Sequence, residues 1–514
     1  MRAALVLSPR FDHLYPAYSL GLLSAILKRR GHESVVFDLN KEFFLYDTER
    51  TGPLHPASDI LAHDEFWHDP EFIRALMFDR HGAFFDRAVD RLLNCGARVV
   101  GFSVYHCNHL VAAEMARRIK RRDPGVIVLF GGPSCFKPEE CRRLLRLAPA
   151  DAVVLGEGEE ALPAVLDALS TNRPLESVPG VLTAGNSSAD AKRPRTTIRH
   201  EDLPAPDFSG FDLAKYPNGE LTLETSRGCV RQCAFCNDWR QWKKFRQKDC
   251  TRTLDQIEFL LKAHPETRGF LFSDSIVNAD MKQLDGLADG LLRREIRTKW
   301  SGFAISRPEM NLSVMEKLKA SGCWNLFVGV ESGSDKVLRD MKKCVSSEIN
   351  AGVLKASRAA GITNAALIVV GYPSETEEDF QLTADFIRDN AEAIGCLSIT
   401  ICDVDDMVDD PAAYGIRPPR FGNLFWESSD GENTLPVRVE RFRRLAAAAR
   451  AAGVDVHVMR RNDEKSVFYY TEELLAMNFR ARGELARAES HARAAQSVLR
   501  DWQNQYRLAH AAKL

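Results

Sequence analysis

No stretch of this 514-residue chain comes near the 18 or so uninterrupted apolar residues that cross a bilayer as a helix. The apolar run Ala3–Leu7, ended by Ser8 and Pro9, is too short for the core of a signal peptide, so a cytoplasmic protein is expected, with no membrane partner. Charge of one sign is missing too: 69 basic against 71 acidic residues leave a net charge of −2, which gives no general field to draw nucleic acid. Cysteine is scarce. Its 12 copies are too few for a disulfide framework in a chain this long, and a reducing compartment suits them.

Three of those cysteines stand together. In Glu224-TSRGCVRQCAFCNDW, Cys229, Cys233 and Cys236 are spaced C-x3-C-x2-C between an apolar strand-like run and a basic, aromatic loop. A zinc site would need a fourth Cys or His at a recognisable distance, and only Cys250 follows nearby. Three soft thiolates on one loop suit three corners of a [4Fe-4S] cluster and leave the fourth iron without a protein ligand.

With Phe235 before the last cysteine, this pattern resembles the radical S-adenosylmethionine (SAM) superfamily. The resemblance implies that SAM chelates the open iron and is split to methionine and a 5′-deoxyadenosyl radical. It also implies a low-potential electron donor such as flavodoxin or ferredoxin.

Residues 1–170 read as short apolar runs separated by helices, which predicts a doubly wound, Rossmann-like parallel sheet with ligands at the carboxyl ends of its strands. Those ends carry Ser8-PRFDH, Ser103-VYHCN, Gly131-GPS and Gly156-EGE; glycine there suggests that a ligand approaches the backbone closely. The loops resemble the cobalamin-binding domain upstream of many radical SAM enzymes. That resemblance makes Ser8, Ser103, Tyr105, Gly131, Gly132, Ser134, Gly156 and Glu157 candidate cobalamin contacts. The cobalt-ligating string D-x-H-x-x-G is missing, so cobalamin is expected without histidine ligation, with His13, His106 and His109 as candidate neighbours of its lower face.

Residues 171–215, rich in Pro, Ser, Asp and Gly, are expected to be a linker with a small hairpin in its middle. From 216 to 405 six strand-like runs alternate with helices, as in a partial (β/α)6 barrel with its chemistry at the strand ends. By resemblance the SAM contacts are Phe235, then Ser273, Asp274 and Asn278 after the second strand, Arg307 after the third, Glu331 ending the fourth and Gly371 after the fifth. Ser273, Asp274 and Asn278 read equally as helix-capping groups, and Arg307 as an ordinary ion-pair partner. Residues 406–514 are expected to be mainly helical, from Arg438 to Ala452 and from Thr471 to the end, after a loop holding Pro418-Pro419, Phe421, Gly422, Phe425 and Trp426 that either covers a substrate chamber or packs on the barrel.

A corrinoid domain before a radical SAM barrel implies methylation of an unactivated carbon or phosphorus in a small molecule. Cyclisation or ring contraction is the alternative; a tRNA methylthiotransferase and a non-catalytic redox or cobalamin sensor are weaker ones. No residue is assigned as the catalytic acid, base or nucleophile. Cys323, Cys344, Cys396 and Cys402 read as small hydrophobes, while Cys250 is the one other thiol that could join the triplet.

Overall fold

A computed structural model describes residues 1–51, 70–186, 198–404, 407, 410–417, 423–458 and 463–511. Chain contacts divide them into two units, one built from most of residues 1–223 together with Asp255–Arg268, the other from Glu224–Leu254 and Gly269–Leu514.

The first unit holds a six-stranded sheet of β1 (Arg2–Leu7), β2 (Glu33–Asp38), β3 (Val99–Ser103), β4 (Ile127–Gly131), β5 (Ala152–Val154) and β6 (Val181–Leu182), in the order β2-β1-β3-β4-β5-β6. Ala3 to Leu7 and the outer residues of β3 are buried on both faces, as runs covered by helices on either side must be. The first five strands are parallel, as expected. The edge strand β6 is antiparallel, and it lies in the segment expected to be a linker: Val181 and Leu182 are both buried, and two apolar residues among Pro and Gly were too short a signal to read. The hairpin expected within the linker falls on residues 187–197, outside the described residues.

The winding reverses between β1 and β3, and in sheets of this order the ligand crevice opens beyond the carboxyl ends of those two strands. The chain closes that edge tightly. Val104 N–H donates to the Gly131 carbonyl at 2.6 Å and Ser134 N–H to the Val104 carbonyl at 3.0 Å. Gly132 has φ +104°, and a Cβ built on it would lie 2.9 Å from the Val104 nitrogen.

A further strand, β7 (Glu220–Leu223), ends the first unit. In the second unit five parallel strands follow one another across the sheet: β8 (Gly269–Phe272), β9 (Lys299–Ala304), β10 (Cys323–Glu331), β11 (Thr363–Val370) and β12 (Cys396–Ile401). Sequential order of this kind is that of a partial (β/α) barrel. Burial alternates along β12 and in the later part of β11, while β9 and β10 also hold runs of consecutive buried residues. Trp300, Ala304, Leu326, Val328, Ala366, Ile368 and Val370 are buried and turn to the helices: Trp300 Nε1 donates to Ser321 Oγ beyond the helix Leu312–Ala320, and Asn364 Nδ2 to Ser357 Oγ of the helix Ser347–Ala359.

The C-terminal region is helical, with one correction. The helix expected from Thr471 to the end is two helices, Glu464–Ala481 and Leu485–Ala511. Gly483, at φ +77°, turns the chain while Glu484 N–H donates back to the Phe479 carbonyl, the usual glycine-terminated end of a helix. Pro418, Pro419, Phe421 and Gly422 of the expected aromatic loop lie outside the described residues. Trp426 is fully buried and packs rather than covers: its Nε1 donates to the Cys402 carbonyl.

Gly132→Ala is expected to lose about 1–3 kcal/mol, because it adds both a disfavoured φ and a clash with backbone that has no room to yield. Denaturant unfolding of the purified variant measures the loss; an unchanged midpoint would mean the β4 loop is not held as described.

Candidate active site

The second unit begins with buried polar chemistry. Glu224, Thr225, Ser226 and Arg227 are all buried, which costs free energy unless each group is paired. Asp274, just past β8, accepts hydrogen bonds from Thr225 N–H at 2.7 Å, from Ser226 Oγ at 2.9 Å and from Thr225 Oγ1. Arg227 grips Glu224 with two bonds of 2.7 and 2.8 Å, and Lys248 Nζ donates to the Glu224 carbonyl at 2.6 Å. Burial pushes the Asp274 carboxyl up to about 6 against the pull of the Thr225 bonds, and pulls Lys248 down to about 8. Both oxygens of Asp274 are spent on the root of the cysteine loop.

The loop carries three thiols with no disulfide among them, Cys233 buried and Cys229 and Cys236 partly so. Burial pushes all three up, Cys236 to about 12. Among the described residues no three His, Cys, Asp or Glu side chains converge on a point where one ion could sit. A cubane binds its thiolates through separate irons and needs no such convergence, so three soft donors without a fourth fit a cluster with one open corner. Cys250 stands apart: its sulfur lies 3.0 Å from where a Cβ on Gly286 would be, and its N–H donates to Gln283.

The loop is pinned by Ala234 N–H to the Met341 carbonyl and Trp239 Nε1 to the Cys233 carbonyl. Phe235 packs beside Val337, Met341 and Tyr372. Over its ring, 5.9 Å from the centroid, stands the ammonium of Lys343, which donates to Glu331 at 2.6 Å. Both partners of this pair are 6% exposed. A side chain on Gly329 would meet Glu331 Oε1 at 2.5 Å and Lys343 Nζ at 2.6 Å, so that glycine leaves the space the pair fills. Lys343 is the residue the sequence reading missed. One of two adjacent lysines turns inward, and nothing in the order of residues says which.

The other candidate SAM contacts vary. Ser273 is exposed at the end of β8. Asn278 is fully buried and ties two strand-end loops, donating to the Ile305 carbonyl at 2.7 Å and accepting from Ile305 N–H; the helix cap is Asp280 instead. Arg307 donates to the Ala279 carbonyl at 2.7 Å and keeps a buried Nε without a partner among the described residues, a donor a ligand carboxylate would satisfy. Ile276, Ala279 and Ile305 pack against Cys229, so this corner adjoins the cysteine loop. Gly371, at φ +78°, lies under the aliphatic stem of Arg438, where a Cβ would come within 2.3 Å.

In the first unit the expected loops stand at the carboxyl ends of β1, β3, β4 and β5. Asn108 Nδ2 donates to the carbonyls of Ser8 and Ser103, and Gly156 N–H to that of Cys135, which ties four strand ends together. Tyr105 lies against Phe11 with ring centroids 4.1 Å apart and planes tilted by 32°. Glu157 precedes the helix Gly158–Ser170. The Ser8 and Ser134 hydroxyls are buried without partners among the described residues, and the amide-rich rim of a corrinoid would supply the groups they lack. His13 is buried and stacked on Phe44, His109 is buried with Nδ1 against the His106 carbonyl, and His106 is exposed.

Comparison with known proteins finds a family for a stretch of each unit. Residues 74–166 match the B12 binding domain and residues 223–387 the radical SAM superfamily. The chain is a radical SAM enzyme with a B12-binding domain. An uncharacterized methyltransferase of Pyrococcus horikoshii is 27% identical over 66% of this chain and 70% of its own. An anaerobic magnesium-protoporphyrin IX monomethyl ester cyclase of Rubrivivax gelatinosus is 26% identical over 52% of this chain and 50% of its own. The fold matches the radical SAM methyltransferase TsrM of Kitasatospora setae, solved with cobalamin and a [4Fe-4S] cluster, at a TM-score of 0.64 and 16% identity, covering 96% of this chain and 99% of that one. The two matched domains give this chain a [4Fe-4S] cluster, SAM and cobalamin as its cofactors.

Two outcomes test the cysteine loop. Anaerobic reconstitution of Cys233→Ala is expected to take up little iron and Cys250→Ala the full amount; equal losses would bring Cys250 into the ligand set. Lys343→Met leaves Glu331 buried without its cation and is expected to cost about 3–5 kcal/mol in denaturant unfolding of the apoprotein, with Lys343→Arg restoring most of it.

Proposed function

We propose that this enzyme methylates an unactivated carbon or phosphorus of a small molecule in the reducing cytoplasm, drawing electrons from a flavodoxin- or ferredoxin-type donor. The observation that carries the reading is a triplet of thiols without a fourth donor, in a chain whose upstream sheet presents two orphaned hydroxyls at the edge where such sheets take their ligand. Cys229, Cys233 and Cys236 would hold the cluster; Phe235, Arg307, Glu331 and the Gly371 turn would face SAM; Ser8, Ser103, Tyr105, Gly131, Ser134 and Glu157 would line the corrinoid crevice. When bound, these groups supply reductive cleavage of SAM and a methyl group for transfer.

The protein's own share is placement. Asp274 fixes the root of the cysteine loop, the Arg307 Nε waits for a carboxylate, and the Glu331–Lys343 pair keeps a cation beside the thiols, where an anionic cluster needs one. Residues 1–170 would serve as the corrinoid domain, 171–215 as its connection, 216–405 as the radical domain and 406–514 as a helical cover. Cyclisation or ring contraction is the second reading, favoured by the match to a cyclase.

Anaerobic purification with cobalamin supplied is expected to yield iron–sulfur and corrinoid absorbance together, and reduction with SAM to yield 5′-deoxyadenosine. Incubation with methyl-labelled SAM and a cell extract is expected to label a small-molecule fraction. Cofactor loading and SAM cleavage without label transfer would replace methylation by cyclisation; a protein free of corrin would end both readings.

A further inference from the structure

The loop that carries the thiols is closed on itself. Ser226 and Arg227 pair antiparallel with Gln247 and Arg246, so residues 228–245 form one lobe, with the three cysteines on its first leg and a basic, aromatic stretch on its second. Between Cys229 and Gln247 stand five basic residues, Arg231, Arg240, Lys243, Lys244 and Arg246, against one acid, Asp238, in a chain whose net charge is −2.

The second leg lies directly against the first. Gly228, the residue before Cys229, takes φ +87°, and a Cβ built on it would lie 3.0 Å from the Trp242 Cβ and 3.2 Å from the Lys244 carbonyl oxygen. Between those two contacts the chain makes a tight turn. Lys244 N–H donates to the Trp242 carbonyl at 2.6 Å across Lys243, whose φ of +56° and ψ of −33° are uncommon and strained for a residue with a side chain. Both lysines are exposed, and neither forms an ion pair among the described residues. On the first leg Val230 is 44% exposed, Gln232 is exposed, and Cys229 and Cys236 are partly so. A cationic rim thus borders the thiols where their loop meets the surface.

We propose that this rim, with Lys243 and Lys244 at its tip, is the docking surface for the electron donor, and that the donor is a small carrier protein with an acidic face around its one-electron redox group. This role rests on the function proposed above, which needs an electron from outside. One electron passes from the reduced carrier to the oxidised cluster; no bond is made or broken and no proton moves. Redox encounters bury little surface, and charge of opposite sign is what makes them fast and fixes their orientation. A strand of nucleic acid would want bare aromatic faces on which to stack its bases. Here each indole already carries an arginine, the Arg240 guanidinium 4.6 Å over Trp239 and that of Arg227 4.9 Å over Trp242.

Binding of oxidised flavodoxin to the reconstituted enzyme, followed by anaerobic titration calorimetry, is expected to weaken several-fold as ionic strength rises through about 0.1 M, where charges more than about 10 Å apart are screened. The double reversal Lys243→Glu with Lys244→Glu is expected to weaken it about ten-fold. A matched reversal, Lys355→Glu with Arg358→Glu, at exposed positions of the helix Ser347–Ala359, is expected to leave it unchanged. The lysine variant is also expected to lose flavodoxin-driven formation of 5′-deoxyadenosine and to keep the formation driven by dithionite, a small reductant that needs no docking surface. Absent or salt-independent binding by the unsubstituted enzyme, a measurement that needs no variant to fold, would overturn the proposal. So would flavodoxin binding untouched by the lysine reversals, an equal loss with dithionite, or tighter binding of a single-stranded RNA oligomer than of flavodoxin. Failure of the unsubstituted enzyme to cleave SAM with dithionite would instead sink the proposed function, while flavodoxin binding still judges the surface.

Discussion

The second unit turns on the pair between Glu331 and Lys343. An ammonium and a carboxylate are buried together at the end of an apolar strand, where neither charge alone would be tolerated. The geometry around them follows from that demand. Gly329 has no side chain because one would occupy the pair's volume, and Glu331 adopts φ +65°, an uncommon backbone for a residue with a Cβ, to bring its carboxylate round. Lys343 in turn lies over Phe235, so the loop that carries the thiols is packed against an ion pair whose ammonium favours thiolate at Cys233 and whose carboxylate opposes it.

A second buried cation holds the turn after β11. Arg438 of the helix Leu435–Ala451 is wholly buried, with its guanidinium 3.9 Å over Trp426 and bonded to the carbonyls of Leu424 and Trp426. Burial pulls it down to about 9, yet backbone dipoles carry the balancing charge. Its stem roofs Gly371, and Asn433 donates to the carbonyls of Gly371 and Tyr372. The C-terminal region thus holds the turn after β11.

Much of this could be read from residue order. The parallel strands of the first unit were legible because burial on both faces makes them near-continuous apolar runs, and the cysteine triplet because ligand spacing is set by covalent reach. What stayed hidden has particular causes. The helix Leu39–Thr51 carries Asn40, Lys41, Asp47 and charged neighbours in no clear period, since Asn40 and Lys41 are spent on the backbone of the loop after β1. Lys343 and Arg438 looked like any basic residues on helical or loop sequence. Their burial is decided by what the strand ends present to them, which is tertiary information.

The strand-end glycines show where reading by ligand proximity needs revision. Gly132 is required because the loop after β4 closes on Val104, Gly329 because an ion pair needs its space, and Gly371 because an arginine stem crosses it. Each lies beside a candidate cofactor site, yet each is forced by protein packed against protein. The rigidity that results is itself the functional contribution. Backbone fixed by its own neighbours holds orphaned groups such as the Ser134 hydroxyl and the Arg307 Nε in place, so a cofactor that met them there would bind at little cost in ordering.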